Sequence, residues 1–517
     1  MSMVENAVGR KVPLEIDGKP LRPFQGAHAD KGGGDKYGGI ISASSLYGHK
    51  LLKSVDEAIE ACDIRDEMTI SFHHHLRNGD YIVNMIVEKL VERGLKDLVL
   101  APSALFPVHE ALVPFIKQGI IHHVEGSMNG PVGMACSRGA MKGTAVLRSH
   151  GGRYRAIQDG DLHIDVAFIA APCADAHGNA NGVQGKSACG PLGFALADSL
   201  YADKTVVITD NLVPFPCYPW SIEGGNIDYV VQIDSIGDPS KIISGTTQIT
   251  RSPTRLLIAE YAARFVKESG ILTEPHFSFQ AGAGGISLAF VKCMGDYMRE
   301  FGVTADFVRG GSTKFMVDLL EEGLTKYILD GQSFDLEGIR SLRENPNHIE
   351  TNPFVSYNYH TKGCFAQMVK VAVLGATEID LAFNVNVNTH SDGLLLHGIG
   401  GFSDAADAHV TMITAPLVRN RLPIIVDEVT TVTTPGETVD VVVTERGIAI
   451  NPARKDLLER ARNSSLPIKS IEELYESALR LTGPPQKPEF TDRIVALVEY
   501  RDGTVIDVVR QLLSQTF

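Results

Sequence analysis

The sequence predicts an α/β fold of two similar open halves, each built on a mostly parallel sheet, with a cleft between the halves. Strand-like and helix-like segments alternate after Ser54, which is the rhythm of βαβ units. The pattern of the first half recurs in the second at an offset near 210 residues. The chain of 517 residues is long enough for both halves, and the cleft between two such halves is the usual position of a ligand site.

The elements follow in chain order. Residues 1–50 have little apolar periodicity and predict an extended N-terminal arm, residues 51–248 a first α/β domain, and residues 249–517 a second one. The strand-like segments of the first domain are Met68–Phe72, Asp97–Leu100, Val166–Ala171, Thr205–Thr209 and Tyr229–Ile233. Near the end of the chain, Ser470 and Glu473 predict a helix with a capping box, and a hairpin follows.

Matching segments support the repeat. The strongest match pairs Ile164–Phe168 with Ile379–Phe383 at an offset of 215 residues. Asn226–Val230 matches Thr438–Val442 at an offset of 212, and a weaker match places Asp210 opposite Asp427. Convergence of unrelated α/β units is the alternative explanation.

Composition limits the possible partners. Lysine and arginine number 48, aspartate and glutamate 62, and the net charge is −14. No cluster of basic residues interrupts this acidic balance, so we expect neither nucleic-acid nor membrane binding. The seven cysteines include no Cys-x-x-Cys pair, and the first residues lack the apolar run of a secretory signal. We therefore expect a reduced, cytoplasmic protein.

Glycine is frequent, with 50 residues, and short glycine-rich motifs form two turns of the second half. Gln280–Ser287 follows a predicted strand and opens an apolar helix, where glycines allow backbone N–H groups to point at one anionic atom. His397–Asp404 is a similar turn. Two such turns in one half indicate two walls of a site where a ligand comes close to the backbone. Ordinary tight turns are the alternative, and Ser287 stands where a dinucleotide fingerprint needs glycine.

Other motifs indicate less. Ala180–Ser187 resembles a Walker A loop without its first glycine, so nucleotide hydrolysis is not expected. His73-His74-His75 lies at a strand end, where neighbours point to opposite faces, and we expect no metal site. Several basic side chains of the first half suit an anionic substrate, although salt-bridged arginines are the alternative for each of them. They are Arg77, Arg148, His150, Arg153 and Arg155.

Several segments together resemble the CoA-transferase superfamily. Gly160-Asp161, then Asp165-Val166-Ala167, then Asp175-Ala176-His177-Gly178 is similar to a signature of these enzymes. Val443–Gly447 and the two glycine turns fit the same superfamily. Over nearly the whole chain, including Ser127–Gly130, the resemblance is closest to the citrate lyase alpha subunit family. It implies a CoA-transferase-like fold in each half and a CoA-transferase activity.

One departure from the superfamily bears on the mechanism. In ordinary members a glutamate attacks the acyl thioester, and it precedes the second glycine turn by several residues. Thr389 stands near that place, and no glutamate occurs between Glu378 and the turn. The resemblance therefore implies that the carrier thioester passes from acetyl to citrate through a mixed anhydride, without a covalent enzyme intermediate.

Residue roles are assigned by polarity and position within this resemblance. The catalytic role, which is stabilisation of the negatively charged oxygen (the oxyanion) that forms during acyl transfer, is assigned to Gly282, Ala283, Gly284 and Gly285. Citrate recognition is assigned to His74, His75, Arg77, Arg153 and Asn181. The pantetheine-like arm of the carrier is assigned to Asn386, Asn388, Gly398, Gly400 and Gly401.

The resemblance also implies partners. The substrates are citrate and an acetyl thioester, whose CoA-like group is supplied by an acyl carrier protein or as free acetyl-CoA, so no tightly bound cofactor is expected. The implied protein partners are a citryl lyase (beta) subunit and an acyl carrier (gamma) subunit, assembled in an oligomeric complex.

Two alternative functions stay open. One is a covalent CoA-transferase or CoA hydrolase that uses another carboxylate, such as Glu445, and the other is a scaffold subunit without activity.

Overall fold

The computed structural model describes residues 2–29, 38–39, 49–243, 248–282 and 284–513. Two large, mostly parallel sheets with intervening helices confirm the predicted fold class. Ala283 and most of the Gly32–Gly39 run lie outside the described residues. The division of the chain near residue 248 stays a prediction.

The first half is built on a seven-stranded sheet in which every neighbouring pair is parallel. From edge to edge its strands are Leu51–Leu52, Tyr229–Gln232, Lys204–Thr209, Val166–Ala171, Thr69–Phe72, Leu98–Pro102 and Ile121–Val124. All six residues of the central strand Val166–Ala171 are buried. A strand that is covered on both faces is apolar throughout, which explains its lack of alternation.

Helices connect these strands. They are Val55–Ala61, Ile82–Glu92, Leu112–Lys117, Pro131–Ser137, His150–Asp159 and Leu196–Tyr201. The helix Ile82–Glu92 buries Ile82, Ile86 and Leu90, because side chains four residues apart share one helix face.

The second half is built on a nine-stranded sheet. From edge to edge its strands are His348–Glu350, Ile328–Ser333, Phe307–Ser312, Ser278–Ala281, Val371–Gly375, Val410–Thr414, Val441–Thr444, Gly447–Ile450 and Ile468–Lys469. All neighbours are parallel except Val441–Thr444 and Gly447–Ile450. The helices are Pro253–Glu268, Gly285–Phe301, Lys314–Glu321, Leu336–Glu344, Pro353–Ser356, Phe365–Met368, Phe402–Ala405, Lys455–Ala461 and Ile471–Thr482.

A hydrogen-bonded turn occurs once in each half and fixes the register of the repeat. The Asp175 carboxylate accepts hydrogen bonds from the backbone and side-chain nitrogens of Asn179, at 3.2 and 2.8 Å. The Asp380 carboxylate accepts the same two bonds from Asn384, at 2.9 and 3.1 Å. Asp175 and Asp380 are therefore equivalent, at an offset of 205 residues.

This register corrects the strongest sequence match. Val166 begins the central strand of the first large sheet, whereas Ile379 belongs to the short strand Glu378–Asp380 of a three-stranded sheet. The pairing of Ile164–Phe168 with Ile379–Phe383 is therefore wrong, because similar residues lie in different elements. The short strand Cys173–Asp175 is the true equivalent of Glu378–Asp380.

The two other matches have different outcomes. Val213 pairs with Asp175 and Val426 with Asp380, so the offset there is 213 and the placement of Asp210 opposite Asp427 is wrong. The match at an offset of 212 is confirmed by equivalent hydrogen bonds. The Asp228 carboxylate accepts from the Thr205 N–H at 2.9 Å, and the Asp440 carboxylate accepts from the Thr411 N–H at 2.7 Å.

The two ends of the chain lie together. Residues 2–29 contain two antiparallel strand pairs, Met3–Glu5 with Lys11–Pro13 and Glu15–Ile16 with Lys19–Pro20, where the sequence predicts an extended arm. Phe24 of this segment is fully buried, with its ring 4.9 Å from that of Tyr500. The hairpin Phe490–Glu499 and Val505–Leu512 pairs with Ala145–Leu147 of the first half. Contacts distant in sequence therefore give the N-terminal segment its structure.

None of the helices that the structure describes is long and apolar enough to cross a membrane.

Candidate active site

A cleft of about 380 Å³ lies between the two halves, where strands of both large sheets end at their carboxyl termini. Open α/β sheets bind ligands at this position. The first half contributes His74, Arg77, Ala104, Phe106, Ser127, Asn129, His150 and Phe194 to its wall. The second half contributes both glycine turns together with Gln280, Gln332, Phe334 and Tyr357.

The first glycine turn supplies one wall of the cleft. Gly282 and Gly284 line it, together with Ser287. The Gly282 N–H is already used, because it donates to the Val373 carbonyl at 3.0 Å. This amide is therefore not available to an oxyanion, in contrast to its sequence assignment. Ala283, assigned the same role, lies outside the described residues.

The remaining donors of this wall belong to a helix N-terminus. Gly284 is the N-cap of the helix Gly285–Phe301 and provides no side-chain cap. A Cβ on Gly285 would stand 2.8 Å from the Gln248 carbonyl, so this glycine is required by close packing behind the cleft. The first-turn N–H groups of a helix have no partner within it, and the helix dipole adds partial positive charge there. The wall therefore suits a negatively charged oxygen.

The second glycine turn joins the halves. The Gly398 N–H donates to Asn129 Oδ1 at 3.2 Å, and the His150 N–H donates to the Gly400 carbonyl at 2.8 Å. A Cβ on Gly401 would stand 3.2 Å from the Tyr357 hydroxyl. Gly398, Gly400 and Gly401 all line the cleft, as close backbone approach requires.

Arg77 is the cation of the cleft wall. Its backbone is left-handed, with φ of 52°, and its guanidinium lies 5.1 Å from the Phe106 ring centre and 5.0 Å from that of Phe334. Burial lowers its pKa to about 10. Among the described residues no carboxylate forms an ion pair with it, and burial is the one cause of the lowered pKa. Cation–π contacts hold this charge without neutralising it, so it is free to bind an anion.

Neutral histidines line the wall beside Arg77. The rings of His74 and His150 stack at 5.2 Å, and each lies 4.5 Å from Phe194. His74 Nδ1 is 2.7 Å from Ser103 Oγ. Burial holds the pKa of His74 well below its usual value and lowers that of His150 to about 3. Both imidazoles are uncharged hydrogen-bonding groups near neutral pH.

His75 lies behind this wall. It is 2% exposed, does not line the cleft, and stacks near His73 at 5.9 Å. Burial lowers its pKa to about 3. The structure thus places His74 at the cleft and His75 beneath it, because adjacent residues at a strand end point in different directions.

Arg153, assigned to citrate, is bound inside the first half. Its guanidinium donates to both carboxylate oxygens of Asp198, at 2.8 and 2.9 Å, and to Ser71 Oγ at 2.8 Å. Arg153 is 3% exposed. These bonds give it a structural role, so we expect no direct contact with substrate.

Asn181 also lies away from the cleft. Its side chain donates to the Pro219 carbonyl at 2.8 Å and accepts from the backbone N–H groups of Val183 and Gln184, both at 3.1 Å. The equivalent residue of the second half is Asn386, which forms the same kind of turn. Asn181 and Asn386 therefore share a structural role, which is to hold a turn of the backbone.

The two asparagines assigned to the carrier arm are enclosed by their own turn. Asn386 is fully buried and donates to Glu378 Oε2 at 2.8 Å and to Thr389 Oγ1 at 3.0 Å. Asn388 donates to the His397 carbonyl at 2.9 Å. Neither lines the cleft. They hold the segment that leads into the second glycine turn.

Carboxylates are absent from the described wall of the cleft. Glu378 accepts hydrogen bonds from the Thr430 N–H at 2.7 Å and from Asn386. Glu445, the carboxylate of the covalent alternative, accepts from the Leu417 N–H at 3.0 Å and does not line the cleft. Thr389, in the place of the superfamily glutamate, is 1% exposed and bonds to Thr431.

Sequence reasoning missed several cleft residues. Gln280 and Ser127 belong to sequence motifs that indicate no role for either side chain, and Gln332, Phe334 and Tyr357 lie in no motif at all. Gln332 lies beside His74 in the cleft wall, and its side chain donates to the His74 carbonyl at 3.4 Å. Only packing of the two halves brings these side chains together.

A possible metal cluster lies elsewhere. His163, Asp165 and Asp203 are the group with ligand atoms close enough to one another among the described residues, and they lie at least partly exposed outside the cleft. The His163 Nε2 atom already lies within hydrogen-bond distance of Asp203 Oδ2, at 3.0 Å. The cleft itself offers nitrogen and hydroxyl donors that suit an organic anion.

The fold and the cleft define a class: an α/β protein whose two similar halves share one cleft. Residues 48–512 match the family described as citrate lyase, alpha subunit (CitF). The chain belongs to this family of acyl transferases.

Relatives of this family match most of the chain. The citrate lyase alpha chain of Klebsiella pneumoniae is 48% identical over 496 residues, which are 95% of this chain and 96% of the relative. The citrate lyase alpha chain of Escherichia coli K12 is 47% identical over 465 residues, 90% of this chain and 91% of the relative.

Two solved structures are similar to this chain. An alpha subunit of citrate lyase from Streptococcus mutans, solved in complex with citrate, superposes with a TM-score of 0.95 at 45% identity and covers 99% of this chain and 100% of its own. A Pseudomonas malonate decarboxylase assembly shares the fold, with a TM-score of 0.60 at 16% identity over 84% of this chain and 87% of its own.

Proposed function

We propose that the chain transfers a carrier thioester from acetyl to citrate: acetyl thioester and citrate become citryl thioester and acetate. The single observation that carries this proposal is a cleft with a free cation, a helix N-terminus and no described carboxylate. The structure of a relative with bound citrate supports the choice of substrate.

Arg77 is the proposed anchor for a citrate carboxylate. A guanidinium binds a carboxylate through two parallel hydrogen bonds, and Arg77 has no protein carboxylate to compete for them among the described residues. His74 and His150 lie on the same wall and are neutral, so they can donate or accept hydrogen bonds with the remaining oxygens.

The proposed reaction has two acyl-transfer steps. A citrate carboxylate oxygen attacks the acetyl carbonyl, a tetrahedral oxyanion forms, and the carrier thiolate leaves to give a citric–acetic mixed anhydride. The thiolate then attacks the citryl carbonyl of the anhydride, and acetate leaves with the electron pair of the broken C–O bond. No proton and no enzyme atom is consumed, so the cleft has to position the reactants and stabilise charge.

The oxyanion would lie at the N-terminus of the helix Gly285–Phe301. Gly284 and Ser287 border the cleft there. Each well-placed donor contributes roughly 3 kcal/mol to acyl transfer. The Gly282 amide is excluded from this role by its bond to the Val373 carbonyl.

Borohydride reduction tests the absence of a covalent intermediate. The chain is incubated with acetyl-CoA and borohydride, and an enzyme thioester would be reduced to an alcohol with loss of activity. We expect activity to persist and the mass of every glutamate peptide to stay unchanged. A reduced glutamate at Glu445 or elsewhere would establish the covalent alternative instead. A CoA-transferase known to form a glutamyl thioester serves as the positive control.

The proposed partners are a lyase subunit and an acyl carrier subunit in an oligomeric complex, with the CoA-like group delivered by the carrier or as free acetyl-CoA. The purified chain, given acetyl-CoA and labelled citrate, should form labelled citryl-CoA. Failure with both acetyl-CoA and acetyl-carrier protein would favour the scaffold alternative. Formation of a thioester from acetate or citramalate but not from citrate would reassign the substrate.

A further inference from the structure

A buried arginine without a counter-ion lies behind the cleft. Arg309 is 1% exposed, and its guanidinium lies 4.5 Å from the centre of the Tyr357 ring. Among the described residues its Nε has no hydrogen-bond partner. The described partners of its guanidinium are Tyr357 and Gln280, neither of which is a carboxylate, although burial of a lone charge is costly.

The other buried arginines of the described chain make the contrast clear. Each has a carboxylate oxygen within ion-pair distance: Arg148 with Glu125, Arg153 with Asp198, Arg155 with Asp159, and Arg501 with Asp407. The fold therefore neutralises these four guanidinium groups, whereas Arg309 and the cleft residue Arg77 have no carboxylate partner among the described residues.

Arg309 fixes the orientation of Gln280. Its Nη1 donates to Gln280 Oε1 at 2.7 Å. Because arginine cannot accept a hydrogen bond, the amide oxygen must face Arg309 and the NH₂ group must face the other way. That NH₂ group lies 3.3 Å from the Tyr357 hydroxyl, and Gln280 lines the cleft. One amide hydrogen remains for a group in the cleft.

The place of this amide matches the proposed oxyanion. Gln280 is the third residue of the strand Ser278–Ala281, which leads into the first glycine turn, and the helix N-terminus of that turn borders the same cleft. The Gly282 N–H is occupied by Val373, so the backbone of the turn offers fewer donors than the glycine pattern predicts. A side-chain N–H that is held by a buried cation supplies a further donor.

We propose that Gln280 is a further catalytic residue, whose side-chain N–H donates to the oxyanion, and that Arg309 is a positioning residue that orients this amide. The positive charge of Arg309 balances the negative charge that develops on the intermediate. This inference rests on the proposed acyl transfer, since the oxyanion is an intermediate of that reaction.

The substitution Gln280→Glu tests the proposal without a change in size. The new carboxylate pairs with Arg309 and removes the N–H donor. We expect a melting temperature equal to or above that of the wild type, while kcat for citryl-CoA formation falls about 100-fold and the KM for citrate changes little. Gln118→Glu, an exposed change of the same kind, serves as the control.

Variants of Arg309 separate positioning from structure. Arg309→Met removes an unpaired charge, so kcat should fall while the melting temperature is retained. Arg309→Lys should recover part of kcat, because one ammonium N–H can still bind Gln280 Oε1. By contrast, Arg501→Met should lower the melting temperature, since it removes the ion-pair partner of the Asp407 carboxylate.

Specific outcomes would overturn the proposal. Gln280→Glu with wild-type kcat would exclude the amide as a donor, and an increase in KM alone would assign Gln280 to citrate binding in the ground state. A fall in the melting temperature of Arg309→Met, with no effect of Gln280→Glu, would make Arg309 structural. A wild-type chain without any exchange would instead refute the proposed function on which the inference rests.

Discussion

Gly398 of the second half lies directly against Ser127 of the first half. A Cβ at position 398 would stand 2.2 Å from the Ser127 Cβ and 2.3 Å from its Oγ. Both residues line the cleft. The two halves are in such close contact here that position 398 has no room for a side chain. The shape of the site therefore depends on glycine at this position.

Gly398→Ala should therefore displace the second glycine turn. We expect overpacking to cost about 1–3 kcal/mol of stability and the misplaced turn to lower kcat/KM by roughly 100-fold. Thermal unfolding and citryl-CoA formation measure the two effects. Gly225→Ala is the matched control, because a Cβ there meets nothing within 4 Å. Wild-type kinetics of Gly398→Ala would show that the turn takes no part in the site.

Arg77→Gln should weaken citrate binding. The loss of a charged hydrogen-bond donor is expected to cost about 1.5–3 kcal/mol, which raises the KM for citrate roughly tenfold to a hundredfold, whereas stability should hold because no described carboxylate depends on Arg77. Steady-state kinetics with varied citrate tests this. Arg340→Gln, on the exposed side of a helix, should leave the KM unchanged. An unaltered KM in Arg77→Gln would move the anion site elsewhere.

Arg153→Met should act on stability. Removal of the guanidinium leaves the fully buried Asp198 carboxylate with only the Ser71 hydroxyl and the His73 imidazole beside it, at a cost of about 3–5 kcal/mol. Denaturant unfolding should detect this loss, and Asp198→Asn in the same chain should recover part of it. The KM for citrate should remain that of the wild type in the folded fraction. A higher KM with normal stability would restore Arg153 to citrate recognition.

Glu350 should make the contact between the halves depend on pH. Its carboxylate accepts from the Leu192 N–H at 2.9 Å and from Ser221 Oγ at 2.7 Å, and burial raises its pKa to about 7. A raised pKa in the folded state means that the stability contribution is complete below the unfolded pKa of about 4.5 and is lost as pH rises through 7.

Glu350→Gln should remove this dependence. Relative to the variant, the wild type should lose about 2.5 kcal/mol of unfolding free energy between pH 5 and pH 8. Denaturant titrations of both proteins across this range give the difference and cancel the contribution of other titrating groups. Parallel pH profiles for the two proteins would show that the Glu350 carboxyl keeps an ordinary pKa.

Signals in the sequence predict the structure correctly where they depend on neighbouring residues. The capping box of Ser470 with Glu473 and the apolar central strand Val166–Ala171 both occur as expected. Each depends on contacts between residues that are near in sequence or on a uniform apolar environment. The fold class and the family followed from these patterns and from the resemblance.

The register of the repeat was harder, because short strands look alike. Ile164–Phe168 and Ile379–Phe383 share residue types but occupy different elements. The true equivalence of Asp175 and Asp380 lies in the hydrogen bonds that each carboxylate makes four residues further on. Pairing partners across a sheet decide such a register, and they are distant in sequence.

Roles of polar residues were hardest to predict. By itself the sequence determined an α/β chain of two related halves, a glycine-rich backbone and a family. Only the tertiary structure decided that Arg77 has no carboxylate partner whereas Arg153 is neutralised by Asp198, and that the Gly282 amide belongs to Val373. The physical reason is that a charge or a donor acts through whatever lies within a few ångströms of it, and the packing of both halves determines those neighbours.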